Sequence, residues 1–458
     1  MDIYPICSDQ IIIQQVEDYF SFFSPLENRG IIVAEHSIKR LLRLCNGEDS
    51  IKTISDKMQM KSEALIKILS VLHSKGIIFY KDEAKYQCST ADILDCWFHV
   101  TNKCNLKCTY CYIHKSEALI DTELAKNIVQ KLVDSCTIQN VRELHVRFSG
   151  GEPLLCKEKI QQIIDYADGI STDLIIRYGI LTNGTLIDYD TFTWLKKNKI
   201  SISISLDGIG NFNDMTRCYP DGSGSYVDII RSIDLLRTEK YPVGIMTTIT
   251  KGNLNGLPAL TKMLAEKRLM FRFSLEKTNR KGTFPELCRY VDELIDILNQ
   301  CLDIMENQID EGNVYFQFQF CDIQFKKTRA RICNAGDKSL AVDHNGNLAV
   351  CGMGLVEPCG KIGDDDDLYS LICSKNQELI ASDVNSFEPC SSCVWKYSCA
   401  GGCPLLRNAC YGEYKSESPY CMVFQSIIPR LLYLESKKIL IYNKRKEGKI
   451  WKSLPIRN

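Results

Sequence analysis

The side chains best equipped for chemistry in this chain are its thiols: 23 of its 458 residues are cysteine. Cys104, Cys108 and Cys111 fall in the run TNKCNLKCTYCY, with aromatic Tyr110 just before the third. A cubic 4Fe–4S cluster held by three thiolates keeps one iron without a protein ligand, and that iron can chelate a substrate. Structural zinc asks for four closed ligands, and His114 is the nearest fourth donor here. Further on, Cys333-x12-Gly346-x4-Cys351 is followed by Cys390-x2-Cys393-x5-Cys399-x3-Cys403 and then Cys421. Disulfide frameworks belong mostly to short secreted chains, and an odd total also argues against complete pairing. Residues 1–20 lack a basic start followed by an apolar run, and no apolar stretch approaches the ~18 residues of a membrane span. The expectation is a cytoplasmic protein whose clustered cysteines bind metal. A net charge of −1 supplies no field directed at nucleic acid or membrane.

Something must hold these thiols in place, and the pattern between them predicts what. From residue 94 to 312, apolar strand runs (Trp97–Asn102, Leu144–Phe148, Leu174–Leu181, Ile200–Leu206, Val243–Ile249, Phe271–Leu275) alternate with helical segments such as Thr122–Ser135, Lys157–Gly169, Tyr226–Arg237 and Leu257–Lys267. Six such units imply an α/β fold: a parallel sheet curling into a partial (β/α)6 TIM-type barrel, with its ligands at the C-terminal strand ends. The first thiol motif sits at such an end. Residues 1–88 read as a separate unit, with strands at Ile11–Ile13, Ile31–Ala34 and Ile77–Tyr80 and helices at Ser37–Leu44, Ile51–Met58 and Ser62–Ser74: a winged helix. Residues 315–425 are rich in Cys and Gly with little periodicity. Residues 426–458 form a basic tail, expected to be a solvated helix with a frayed end. Cys7, Cys45, Cys136, Cys218, Cys288, Cys301, Cys373 and Cys410 read as small buried residues.

The triad resembles the C-x3-C-x2-C pattern of the radical S-adenosylmethionine (SAM) superfamily, and the likeness continues along the barrel. Ser149-Gly150-Gly151-Glu152-Pro153 is similar to the family's GGE segment, which contacts the methionine amino group; glycines let backbone approach a ligand, and a carboxylate suits an ammonium. Asn183 closes the third strand, while Ser205 and Asp207 close the fourth, where the family contacts SAM. Arg217 matches a family arginine suited to the methionine carboxylate. The seven downstream cysteines resemble the SPASM extension, which implies two auxiliary 4Fe–4S clusters and three in all. Cys390, Cys393, Cys399 and Cys421 would hold the outer cluster, and Cys333, Cys351 and Cys403 the inner one. Cys321 or Cys359 is a fourth inner ligand, unless that iron is open to a substrate thiolate. A zinc knuckle is the competing reading.

The third N-terminal helix, SEALIKILSVLHSK, carries only Lys67 and Lys75 as basic residues and lacks side chains for base edges. Residues 46–80 look instead like the peptide-binding domain of enzymes that modify ribosomally made peptides, where a leader peptide adds a strand to the sheet edge. The resemblance therefore implies a precursor peptide as partner, a small electron donor such as flavodoxin or ferredoxin, and an oxidoreductase that takes hydrogen from a peptide carbon and forms a crosslink. A cysteine thioether is the favoured bond. Carbon–carbon crosslinking, epimerisation and formylglycine formation in sulfatases are alternatives, and a zinc-containing winged-helix regulator is the alternative from another class. In sulfatase-maturing relatives an aspartate acting as base follows the inner-cluster cysteine, whereas Gly352 follows Cys351 here. Glu276 and Arg272 are positional candidates for a substrate contact.

Overall fold

The computed structural model describes residues 3–81, 93–170, 173–363, 365 and 367–445. The predicted N-terminal boundary at 88 and residues 446–458 lie outside them.

The chain opens with β1 (Pro5–Cys7), β2 (Ile12–Val16), β3 (Tyr19–Phe23) and β4 (Ile32–Ala34), then helices Ser37–Leu44, Ile51–Met58 and Ser62–Ser74, then β5 (Ile78–Tyr80). The helix bounds are those the apolar spacing predicts; β3, in the run YFSFF, is an addition. Strands β2-β3-β4 form an antiparallel sheet, and β5 returns to pair with β1. Because strand side chains alternate, the sheet has two apolar faces. Phe22, Ile32 and Ala34 pack on Ile38, Leu41, Ile54, Leu65 and Leu69 of the helices. Val16, Phe23 and Val33 face the other way and join the core of the rest of the molecule. The unit expected to be separate has its own core but is docked through its sheet.

All six predicted barrel strands form: β6 (Ile93–Thr101), β7 (Glu143–Gly150), β8 (Ile175–Thr182), β9 (Ser201–Ser205), β10 (Val243–Ile249) and β11 (Met270–Leu275), every neighbouring pair parallel. A seventh parallel strand, β12 (Gln317–Phe320), follows β11. On the opposite edge the Cys-rich region continues the sheet with β13 (Ser339–Val342), parallel to β6, then β14 (Asn347–Ala349) and β15 (Gly360–Lys361). One ten-stranded sheet thus joins barrel and Cys-rich region. Leu144, Val146 and Phe148 of β7 are buried in the main core with residues of helices Thr122–Ile138 and Lys157–Gly169. On β9 the alternate residues Ser201, Ser203 and Ser205 face away from that core.

The C-terminal tail departs from expectation. Helix Cys421–Arg445 is heavily buried, with Val423, Ile428, Leu432 and even Lys437 and Lys438 enclosed. Its cations meet acids of helix Val291–Asp310: Arg430 with Asp303 (2.7 Å), and Lys437 with Glu306 (2.9 Å) and Asp310 (2.7 Å). Up to Arg445 the basic run is a seam between helices rather than a solvated face. No helix among the described residues is long and apolar enough to cross a membrane.

Candidate functional site

The loop bearing Cys104, Cys108 and Cys111 leaves β6 at the barrel mouth and is pinned where it starts and ends. Thr101 Oγ1 donates to the Ala118 carbonyl (2.6 Å), and Ile120 N–H to that of Val100 (3.0 Å). The end of β7 straps it from one side: Gly151 N–H donates to Thr101 O (2.7 Å) and Glu152 N–H to Lys103 O (2.8 Å). A Cβ on Gly150 would stand 2.3 Å from Thr101 O, and one on Gly151 2.0 Å from Lys103 O. The glycines are thus required by approach of backbone to the cysteine loop itself. From the far side, Lys107 and Thr109 donate backbone N–H groups to Cys218 O (2.7 Å) and Thr216 O (3.0 Å). Buried Leu106 anchors the loop from within.

Within this frame the three cysteines are free thiols, Cys111 exposed and the other two half-buried. Leu106 N–H points at Cys104 Sγ (3.5 Å), and Asn183 Nδ2 lies 4.0 Å from the same sulfur while donating to Asn105 Oδ1 (2.8 Å). Free, accessible thiols with N–H donors aimed at one sulfur suit a cluster, whose sulfurs are tuned by such bonds. His114 is exposed.

The carboxylates expected at the ligand are occupied internally. Glu152 is fully buried, and its oxygens accept from Thr182 Oγ1 (2.6 Å), Asn183 N–H (2.7 Å) and Leu154 N–H (3.1 Å). Burial pushes its carboxyl above the usual range, and these hydrogen bonds pull it back. It latches the end of β7 to that of β8. Asp207 is equally buried and accepts from Tyr110 hydroxyl (2.5 Å), Thr216 Oγ1 (3.2 Å) and Thr248 N–H (3.0 Å). Arg217 donates to the Tyr110 hydroxyl (2.5 Å) and stands 3.5 Å from Asp207. Its guanidinium is therefore not wholly free for a methionine carboxylate. Its Nε, however, is buried without a partner, a donor that a ligand oxygen would satisfy. Ser205 stands half-buried at the end of β9.

In the Cys-rich region, Cys390, Cys393, Cys399 and Cys421 line one cavity with Trp395 and Phe424. Cys333 and Cys351 sit close enough to Cys403 for its charge to raise both of their pKa values, after burial. Burial pushes the Cys351, Cys390 and Cys421 thiols up to about 12, so they are neutral near pH 7 until a bound cation displaces the proton. Among the described residues no three His, Cys, Asp or Glu side chains close on a point as around a single ion. Between Cys399 and Cys403 three successive residues, Ala400, Gly401 and Gly402, have φ of 47°, 71° and 69°, a left-handed turn that bends the chain from one set to the other. Cys321 shares a second cavity with Cys403, Lys277, Asp322 and Tyr420, whereas the Cys359 thiol points at Leu348 O (3.5 Å) and accepts from Asn376.

Arg272 is paired with Asp322 (2.7 Å), and Glu276 is partly buried with its carboxyl raised by desolvation. Several residues at this site escaped the motif reading. Arg407 is 2% exposed, lies over Phe387 and faces Cys390, Cys403 and Cys399. His99, buried with its pKa lowered to about 4, and Tyr112 converge on Gly352, where a Cβ would stand 2.9 Å from His99 Nε2 and from Tyr112 Oη. Nothing in local sequence flags them, because their partners are remote along the chain. Of the eight cysteines expected to be inert, Cys45, Cys136, Cys301 and Cys410 are buried; Cys7, Cys218, Cys288 and Cys373 are only partly so.

Comparison with known proteins matches residues 98–263 to the Radical SAM superfamily. The chain is 31% identical to the Fe-coproporphyrin III synthase of Methanosarcina barkeri, across 71% of this chain and 86% of that one. It is 25% identical to the radical SAM cyclopropyl synthase TigE of Paramaledivibacter caminithermalis, across 75% of each. Among solved structures, anSMEcpe with bound AdoMet and a peptide superposes with a TM-score of 0.63 at 21% identity, covering 77% of this chain and 99% of that one. Streptococcus suis SuiB bound to its precursor peptide covers 91% of this chain and 99% of its own, with a TM-score of 0.51 at 14% identity. The chain belongs to the radical SAM superfamily, which implies a 4Fe–4S cluster and SAM at the barrel mouth.

Proposed function

We propose that this chain is a peptide maturase with three 4Fe–4S clusters, acting on a ribosomally made precursor peptide and joining a cysteine thiol to another residue's carbon. The observation that carries the reading is the gathering of the downstream thiols into two spatial groups, with the membership that the SPASM resemblance implies. Cys321, which shares a cavity with Cys403, is the better fourth member of the inner set; the Cys359 thiol is turned to a carbonyl. Outer-strand edges of β2-β3-β4 offer backbone pairing to a leader segment, leaving the core peptide to reach the mouth. An external electron donor such as flavodoxin or ferredoxin completes the set of partners.

When bound, cluster and SAM together supply a 5′-deoxyadenosyl radical able to take hydrogen from an unactivated carbon. The protein's own work is positional. Cys104, Cys108 and Cys111 present their thiols on a loop fixed by β7 and by residues 216–218. Glu152 keeps the β7 and β8 ends together, and the Tyr110–Asp207–Arg217 network holds one guanidinium Nε ready for a ligand oxygen. The likeness to anSMEcpe concerns the fold, and formylglycine formation is disfavoured by Gly352 and its surroundings: the Cβ of an aspartate there would stand 2.9 Å from the ring nitrogen of buried His99 and from the Tyr112 hydroxyl.

Coexpression with a small cysteine-containing peptide encoded beside this gene tests the reading by mass spectrometry. A loss of two hydrogens per crosslink is expected, together with one thiol that iodoacetamide no longer alkylates. Loss of two hydrogens with every thiol still free favours a carbon–carbon bond, as the TigE likeness suggests. An unmodified peptide in the presence of SAM and reductant overturns the proposal.

A further inference from the structure

Where the N-terminal unit meets the Cys-rich region, one side chain makes several of the bonds. Asn28 lies in the turn between β3 and β4 at φ 50°, a backbone state Asn tolerates better than most residues. It is completely buried. Its Nδ2 donates to three carbonyls, Lys327 O (2.8 Å), Tyr397 O (2.9 Å) and Gln324 O (3.2 Å). Around it, Thr328 Oγ1 donates to Glu27 O, and Phe23 packs edge-on against Phe325 at 5.4 Å. The two segments it grips are also bonded to each other: Gln324 N–H (3.2 Å) and Arg329 (3.0 Å) both donate to Ser398 O. One segment runs from Cys321 to Cys333. The other carries Cys399 and Cys403.

We infer that Asn28 is a positioning residue for both auxiliary clusters: through it the N-terminal unit holds the ligand-bearing segments 321–333 and 397–403 in register. The inference rests on the proposed assignment of those cysteines to clusters. Loop-rich segments have few long-range backbone contacts of their own, so three carbonyls from two segments gathered on one fully buried amide fix how those segments sit together. Asn28→Asp is the sharp perturbation, since it sets a carboxylate oxygen of the same shape against three carbonyl oxygens. The N-terminal unit then has a second duty besides peptide delivery: it is part of the scaffold of the redox centres.

The test counts iron and acid-labile sulfide per chain in anaerobically reconstituted full-length protein, with hydrogen exchange on the apo form. Wild type should hold about 12 irons, three cubes of four. Asn28→Asp and Asn28→Ala should lose four to eight of them while keeping the barrel cluster, scored as uncoupled SAM cleavage within twofold of wild type. Exchange in 321–333 and 397–403 should rise in the apo variants. Gln14→Ala, which removes a bond from the same N-terminal unit to Pro429 O of the C-terminal helix, should retain all the iron. Full iron in both Asn28 variants overturns the inference alone. A wild type with about four irons overturns the two-cluster reading and this inference with it. Loss of the barrel cluster as well in both Asn28 variants means general unfolding, and overturns a selective role.

Discussion

Two regions of this molecule hold cysteine sets, and they hold them by opposite means. At the barrel mouth the triad rides on a loop whose backbone is bonded to the ends of β6 and β7 and to residues 216–218, so its shape precedes any metal. In the Cys-rich region the ligand segments run between short elements and are tied by side chains: Asn28, Arg329, Arg407 and a left-handed turn at 400–402. The first set is placed by a scaffold, while the second, on the function proposed above, is a staple that needs its ions. Thiols with pKa values pushed up to about 12 resist ionisation until a cation arrives, so on that proposal order and metal come together there.

The largest effect should separate the two sets outright. Cys104→Ala should reduce SAM cleavage to background, because a barrel ligand is lost. Cys390→Ala should leave uncoupled SAM cleavage within a few-fold of wild type while abolishing modified peptide, both measured by chromatography of 5′-deoxyadenosine and peptide mass. Equal loss of SAM cleavage in both variants would break the comparison. Gly151→Ala comes next. The added Cβ meets the Lys103 carbonyl at 2.0 Å, a backbone atom that cannot rotate aside. SAM cleavage should fall roughly 10–100-fold, as for other changes that misplace a metal ligand, with iron in the Cys-rich region retained. Arg407→Leu perturbs the other side. It removes a buried cation that donates to Ser382 O and Ser416 O and faces three thiols. The cost should be about 2–4 kcal/mol of unfolding free energy, read from urea denaturation, with outer-cluster iron lost and barrel iron kept.

Much of this division was legible in the sequence, for identifiable reasons. The six barrel strands are continuous apolar runs, the signature of a covered parallel sheet. The thiol sets are legible because ligand spacing is local. What escaped depends on partners far along the chain. Strand β13 pairs with β6 across more than two hundred residues, and no periodicity announces a pairing of that range. The basic run from Arg430 onward reads as solvated until Asp303, Glu306 and Asp310 are placed opposite it. Glu152, Gly150 and Gly151 were found as a motif, but their bonds within the protein were not: local sequence does not show a carboxylate latching two strands or glycines packed on a remote loop. Asn28 and Arg407 are single residues without a motif.

The smallest predicted effect concerns the barrel away from its mouth, and it tests whether the preformed region carries ordinary electrostatics. On neighbouring strands, His145 approaches Asp95 (3.4 Å) through Nδ1 and Glu143 (2.9 Å) through Nε2, with Arg147 (3.0 Å from Asp95) alongside. The hydrogen bond to Asp95 raises the imidazole pKa most; burial opposes it, and Glu143 adds to the rise. Below about pH 6.5 both folded and unfolded chains carry the proton, and the ion pairs contribute in full. Between that value and the raised folded pKa only the folded chain keeps it, so stability falls as pH rises through this window. Above it the contribution is gone. The partly exposed pair limits the effect to about 1 kcal/mol or less. His145→Gln should therefore flatten the decline in urea midpoint between pH 6 and pH 8.5 without touching iron content in either region. A steeper decline in the variant would mean that the imidazole is held neutral, and that the barrel's charges are arranged for something other than stability.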